Sequence, residues 1–282
     1  MMIDAHAFLY FGDGQSVKFH SGRYKPDGGA LMIGKEGIEG WWSAPDLKTD
    51  VTERASGNGA HDVSVDSVLY ASRTVTVHFD VIGDVHSEVL DAVTKVSQAN
   101  GMPVRLRVVD DQSDTFVSGF IRPQFGSGWD EHHQTGTLTI VCPRPERLAW
   151  EPLQSQLFPV SMVQGGLQYN SGRGLKYPLN YGTAGSASNV VLLLNQGSST
   201  AFPVLTVTGP FPNGVQIQWG GNALQYDGAI GGVPLILDSR SQTASMGGVD
   251  VSRNLSRRDF PVVPAAGSVS LRLMLYDHGF GR

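Results

Sequence analysis

The sequence predicts a mainly β chain in two parts: an α+β domain with one helix packed on a sheet, then an antiparallel β-sandwich. Short runs in both halves alternate apolar and polar residues, the period of a half-buried strand. Val75, Val77, Phe79 and Val81 alternate with Thr74, Thr76, His78 and Asp80, and near the end Val269, Leu271, Leu273 and Leu275 flank Ser270 and Arg272. One stretch, residues 85–99, instead spaces its valines as a helix does. The 35 glycines and 15 prolines among 282 residues suit a chain punctuated by turns better than a helical bundle.

In the first half the strand at 74–81 leads to the helix. Asp84 is a candidate N-cap, and Glu88 suits the positive helix end. Val85, Val89, Val93 and Val96, with Leu90 and Ala92, form its apolar face, and Asn100-Gly101 ends it. Val104, Leu106 and Val108 then alternate with Arg105 and Arg107. The polar Asp110–Asp114 stretch makes a hairpin loop into a strand at Thr115–Ile121, and Leu138–Cys142 closes the set. The order is β-α-β-β-β, with the helix on one sheet face.

Residues 151–189 break the pattern. Gly165, Gly166, Gly172, Gly174, Gly182 and Gly185 lie among Ser and Asn, the composition of a connector. The expected division is therefore 1–150, a connector 151–189, and a sandwich at 190–282. In the last part Val215, Ile217 and Trp219 share a strand face with Gln216 and Gln218 opposite, and Leu235–Asp238 makes another strand. Turns fall at Pro212–Gly214, Gly220–Asn222 and Asp227-Gly228. Trp219, in phase with Val215 and Ile217, is expected in the core.

Charge divides unevenly. Residues 1–150 hold 13 Lys+Arg and 20 Asp+Glu, net −7, and residues 151–282 hold 8 and 6, net +2. An acidic half lacks the clustered cations that grip phosphates; it suits an ordinary soluble surface or, as the sharper alternative, one that DNA passes without sticking. No apolar run approaches the ~18 residues of a membrane span. The first residues lack the basic start of a secretion signal, so membrane insertion is not expected. The lone Cys142 cannot form an internal disulfide and reads as a core residue.

Apparent chemical motifs fail on inspection. Gly29–Lys35 matches the start of a phosphate-binding loop, but Glu36 stands where a Ser or Thr must hold magnesium. His132-His133 beside Asp130 and Glu131 lacks metal-site spacing and reads as a loop between strands. Asp110, Asp111 and Asp114 lack the remaining ligands of a calcium loop and read as a hairpin tip. The carboxylates after Glu151 sit mostly beside turn glycines or at strand ends, and no nucleophile elbow occurs. No catalysis, cofactor or metal is expected. Arg253, Arg257 and Arg258 form a basic cluster in an otherwise neutral sandwich and are the candidate protein-interface residues, since Arg pairs bidentately with carboxylates.

The order of motifs resembles a known family. Asn195-Gln196-Gly197, a strand from Pro203 to Gly209-Pro210, the Gly-Gly turn and the LILD strand resemble the C-terminal galectin-like sandwich of the distal tail proteins of long-tailed (siphovirus-type) bacteriophages. The β-α-β-β-β order ending in Cys142-Pro143-Arg144-Pro145 resembles their N-terminal domain, which is related to tail-tube subunits. Gly37–Trp42 and Arg54–Gly59 resemble two further landmarks. The resemblance implies a structural virion protein at the tail tip, assembled in the host cytoplasm. It implies a homohexameric ring with the first domain inside, leaving a channel for DNA that is not bound specifically. The implied partners are the tail tube protein, the tape-measure protein and the tail-associated or receptor-binding proteins. The alternative is a sandwich that binds host cell-wall glycan directly; sharing a fold does not transfer that activity.

Overall fold

The computed structural model describes residues 6–12, 14–21, 30–48, 52–64, 68–83, 86–128, 132–159, 169–170, 174–175 and 189–275. The chain divides into two compact units, Met1–Pro152 and Leu153–Arg282.

The first unit contains β1 (His6–Phe11), β2 (Ser16–His20), β3 (Ala30–Glu39), β4 (Arg73–Ile82), helix α1 (His86–Gln98), β5 (Pro103–Val109), β6 (Asp114–Phe125), β7 (His133–Cys142) and the short β8 (Leu148–Ala149). The sheet runs β5-β1-β2-β3-β4-β7-β6, with β8 added beyond β6. Because β5 also pairs with β6, those seven strands close into a barrel. All pairings are antiparallel except β2 with β3.

The expected helix on one sheet face is present, but closure of the sheet was not part of that expectation. Strands β1 to β3 bridge β5 to β4 and remove the free edges. Ala7 and Leu9 face the core while Phe8 and Tyr10 face outward. Apolar side chains on both faces conceal the alternation that would have marked β1. The Gly29–Lys35 motif is likewise largely strand, since β3 begins at Ala30 and no helix follows.

Inside the barrel Val75, Val77, Phe79, Leu106, Leu138 and Ile140 are all but inaccessible, and Cys142 is buried with them. Helix α1 joins this core through Val89 and Val96, and Ala99 just after it adds to them. Val93 and Ala92 pack only at its margin, and Leu90, expected on the apolar face, is 39% exposed. The proposed cap Asp84 and Val85 lie outside the described residues. Gly101 follows the helix at φ +76, the left-handed conformation expected of the stop signal.

Other local readings shift by a few residues. Asp114 is not at the hairpin tip but opens β6 opposite Val109. Asp110 organises the tip itself: its carboxylate accepts from the N–H groups of Gln112 and Ser113 and from the Ser113 hydroxyl. Partial burial pulls that carboxyl upward, but these bonds prevail and hold it below its ordinary range. His133 is not in a loop either; it starts β7 and meets Asp80 of β4 at 3.1 Å.

The connector carries two-residue strands β9 (Tyr169–Asn170) and β10 (Gly174–Leu175), and most of its remainder lies outside the described residues. The second unit contains β11 (Val190–Asn195), β12 (Val204–Val207), β13 (Val215–Trp219), β14 (Asn222–Tyr226) and β15 (Leu235–Asp238). It continues with β16 (Thr243–Met246), β17 (Val249–Asp250), β18 (Leu255–Arg258) and β19 (Gly267–Leu275). One sheet runs β11-β19-β13-β14-β18 and the other β12-β15-β16-β17, all antiparallel. Val215, Ile217, Leu224, Tyr226 and Leu271 from the first sheet share a core with Val207, Leu235, Leu237 and Ala244 from the second. This is a sandwich. Trp219 packs against that core at its edge, half-buried.

Two turn motifs acquire physical reasons. Asn195 ties its loop with one side chain: its amide donates to the carbonyls of Ser199, Val263 and Pro264, and its oxygen accepts from Gly197 N–H. Gly214 of the Pro-Asn-Gly turn sits at φ +79, and a Cβ there would collide with the Tyr226 carbonyl oxygen. Only glycine fits.

Candidate assembly surfaces

Between β3 and β4 the chain makes a long excursion, residues 41–72, that runs out and back. Bridges join Leu47 to Tyr70 and Glu53 to Ala60, and Lys48 N–H donates to Leu69 O at 2.8 Å. Beyond Trp41 nearly every described side chain of this arm is exposed, including Trp42, Leu47, Leu69 and Tyr70 at 49–62%. Such apolar exposure on a projection marks a contact surface more than a fold element.

The arm's root is held by Arg73. Alternation along β4 directs residue 73 inward with Val75 and Val77, and its side chain is buried. Its Nη1 donates to the carbonyls of Gly40 (2.6 Å), Ser43 (2.8 Å) and Trp41 (3.3 Å), and its Nε to Pro145 (2.8 Å). One cation thus gathers three carbonyls from the arm's root and one from the segment after β7. Burial pushes its pKa down, and the nearby positive Arg147 adds to this. Trp41 is fully buried beside it, with the Arg147 guanidinium over its ring at 5.4 Å. The sequence carries one signal for Arg73, a cation at an inward phase of β4.

A second surface lies on the barrel's outer wall where β2, β1, β5 and β6 run side by side. Outward-facing Phe8 and Tyr10 from β1 sit beside Arg105 and Arg107 of β5 and Phe116 of β6. Trp150 stacks on Tyr10 at 4.8 Å and meets Phe116 edge-on at 5.7 Å, docking the segment that leaves the barrel. Arg107 lies 4.5 Å over the Trp150 ring and forks onto Asp114, Nε to Oδ1 at 2.7 Å. Its hydrogen bonds to Asp114 raise its pKa despite partial burial. Lys18 and Arg105 are exposed over the rings of Phe8 and Phe116, at 5.5 and 5.7 Å.

In the sandwich the three predicted arginines are all exposed but do not form one patch. Arg257 and Arg258 are successive residues of edge strand β18, so they point to opposite faces. Arg258 bends back to donate to Ser252 O at 3.1 Å, and Arg253 stands on a short 3-10 turn, Ser252–Asn254. Arg257 pairs in register with Gln225, next to an amide chain missed in the sequence. Gln218 donates to Gln216, Gln216 to Gln225, and Gln225 to Asp227, at 2.7–3.0 Å. The residues sit on the sheet's outer face, where Gln216 and Gln225 are register partners.

Among the described residues no three of His, Cys, Asp and Glu are grouped to hold a metal ion, and no helix is long and apolar enough to cross a membrane. His78 contacts Glu36 at 2.8 Å and Glu39 at 3.6 Å, but both carboxylates are mostly exposed. Burial pushes the Cys142 thiol up to about 11, a value that keeps it protonated and unreactive at neutral pH.

A closed barrel bearing a helix and a projecting arm, followed by a two-sheet sandwich, defines a two-unit, mainly β protein. No family model and no curated protein matches the sequence. In structure the chain has the fold of the phage SPP1 Dit (gp 19.1) protein, described as a paradigm of the hub adsorption apparatus in phages infecting Gram-positive bacteria. The two align with a TM-score of 0.60 over 95% of this chain and 94% of that one, at 12% identity. Chains of the phage P2 baseplate in its activated conformation, with calcium and with strontium, align over 98% and 97% of this chain. There the identity is 9%, coverage of those chains is 99%, and the TM-scores are 0.43 and 0.44. The distal-tail fold anticipated from short motifs is the fold of this chain.

Proposed function

We propose that this protein is a structural component of a phage tail tip, a distal tail ring joining the tail tube to the host-attachment apparatus. The observation that carries this reading is the end-to-end match of both units, in order, to the SPP1 distal tail fold. The barrel domain, residues 1–150, forms the inner layer of a six-copy ring; the segment 151–189 is the connector and the galectin-like sandwich 190–282 faces outward. Six first halves at net −7 place about −42 formal charges on the inner layer, which favours DNA sliding over adhesion. Partners are the tail tube, tape-measure and receptor-binding proteins, and no catalysis is involved. Electron microscopy of the assembled protein should show a sixfold ring with residues 1–150 around the channel; density for residues 190–282 lining the channel defeats the reading. Glycan binding by the sandwich is the alternative, and retention of the purified protein on host cell walls is its test.

Arg253, Arg257 and Arg258 serve contacts with acidic neighbours in this reading. Replacing Arg257 and Arg258 together by Ala is expected to leave the melting temperature within about 2 °C, since exposed charges contribute little to stability. Assembly should weaken in a salt-sensitive way. Equal assembly of parent and double variant across a range of salt reduces the cluster to ordinary surface.

A further inference from the structure

We propose that the arm 41–72 of one copy docks on the β1–β5 wall of the next, giving a head-to-tail contact between identical chains. The inference rests on the reading of this protein as a ring and names the surfaces that build it. Three observations carry it.

The first is placement. Around the barrel, β1 is separated from β4 by β2 and β3 one way and by β5, β6 and β7 the other. The arm, rooted between β3 and β4, therefore leaves the wall opposite the one that carries Phe8, Tyr10 and Arg105. Arg73 fixes that root, and the arm's backbone hydrogen bonds are made largely within the arm. Two matching surfaces on opposite walls pair between copies, and a contact of two different patches propagates until the rotation closes a ring.

The second is charge. The arm's sequence holds five acids, Asp46, Asp50, Glu53, Asp62 and Asp66, against Lys48 and Arg54. Asp46 and Glu53 are exposed, while Asp62 and Arg54 are paired with each other. The opposite wall presents Lys18 and Arg105, exposed over aromatic rings, and Asp114 beside them is engaged by Arg107. An acidic projection thus meets a basic receiving wall.

The third is apolar complementarity. Leu47, Leu69 and Tyr70 project from the arm, and the receiving wall is aromatic. Apolar and aromatic anchors ringed by opposite charges form the usual core and rim of a specific interface.

Two full-length variants test the contact, one altered in the arm (Leu69→Asp with Tyr70→Asp) and one in the wall (Lys18→Glu with Arg105→Glu). All four side chains are exposed or half-exposed, so thermal melts should match the parent and verify folding. Analytical ultracentrifugation should show the parent associating and each variant alone self-associating ~30-fold or more weakly, the loss typical of an interface hot spot. An equimolar mixture should recover a one-to-one dimer, because one intact arm and one intact wall remain. A parent that stays monomeric throughout the concentration range sinks the ring reading and this contact with it. A parent ring that either variant still builds, or a mixture that stays monomeric, overturns the contact alone.

Discussion

Val89→Asp should yield insoluble protein, while Val93→Asp should remain folded with lowered stability. The two valines lie on neighbouring turns of α1, and sequence spacing alone gives them equal weight. Val89 is fully inaccessible within the barrel core, whereas Val93 packs at its margin. A carboxylate at 89 has no hydrogen-bonding partner within an aliphatic cluster, and such burial costs several kcal/mol, a large part of a domain's total stability. At 93 the carboxylate reaches water by a change of rotamer, and about 1 kcal/mol is expected, a typical value for a single substitution. Solubility of both variants on expression, followed by urea denaturation of whatever is soluble, gives the comparison. A soluble, normally melting Val89→Asp protein means that the helix does not seal this core.

Arg73→Met is expected to destabilise the first unit by about 3 kcal/mol and to loosen the arm. Methionine fills most of the volume, but the carbonyls of Gly40, Trp41, Ser43 and Pro145 lose their shared donor. Hydrogen bonds from a charged donor contribute about 1.5–3 kcal/mol each, and acceptors left buried without one carry a desolvation penalty. Arg73→Lys should recover little, because an ammonium cannot spread its donors over carbonyls arranged about a planar fork. The discriminating measurement is hydrogen exchange: protection at the N–H groups of Lys48 and Ala71, which pair across the arm, should fall more than protection inside β7. Unchanged exchange in the arm reduces Arg73 to a core cation with no role in holding the projection.

The resemblance carried more of the architecture than periodicity did. Alternation marked β4, β5, β13 and β19 because each has one dry and one wet face. It missed β1, whose outward Phe8 and Tyr10 are as apolar as its inward Ala7 and Leu9, and β3, whose apolar start was read against a phosphate-loop pattern. Arg73 was legible in principle as a charge at an inward phase. Its partners were not, since Gly40 and Pro145 lie 33 and 72 residues away. The arginine cluster shows that adjacency in sequence does not make one patch. Arg257 and Arg258 are adjacent in sequence, but a strand sends adjacent side chains to opposite faces.

By itself the sequence determined the local conformation of most elements. Val89 and Val96 at helical spacing, the alternating valines of β4, and Gly214 in its turn each answer to burial of one face or to the backbone angles a residue tolerates. Those forces act within a few residues. Closure of the barrel, the gathering of four carbonyls on Arg73, and the setting of an acidic arm opposite a basic aromatic wall were decided only in the tertiary structure. They depend on pairings such as His6 with Val109, where the free energy lies in desolvation and hydrogen bonding between groups that only the folded chain brings together.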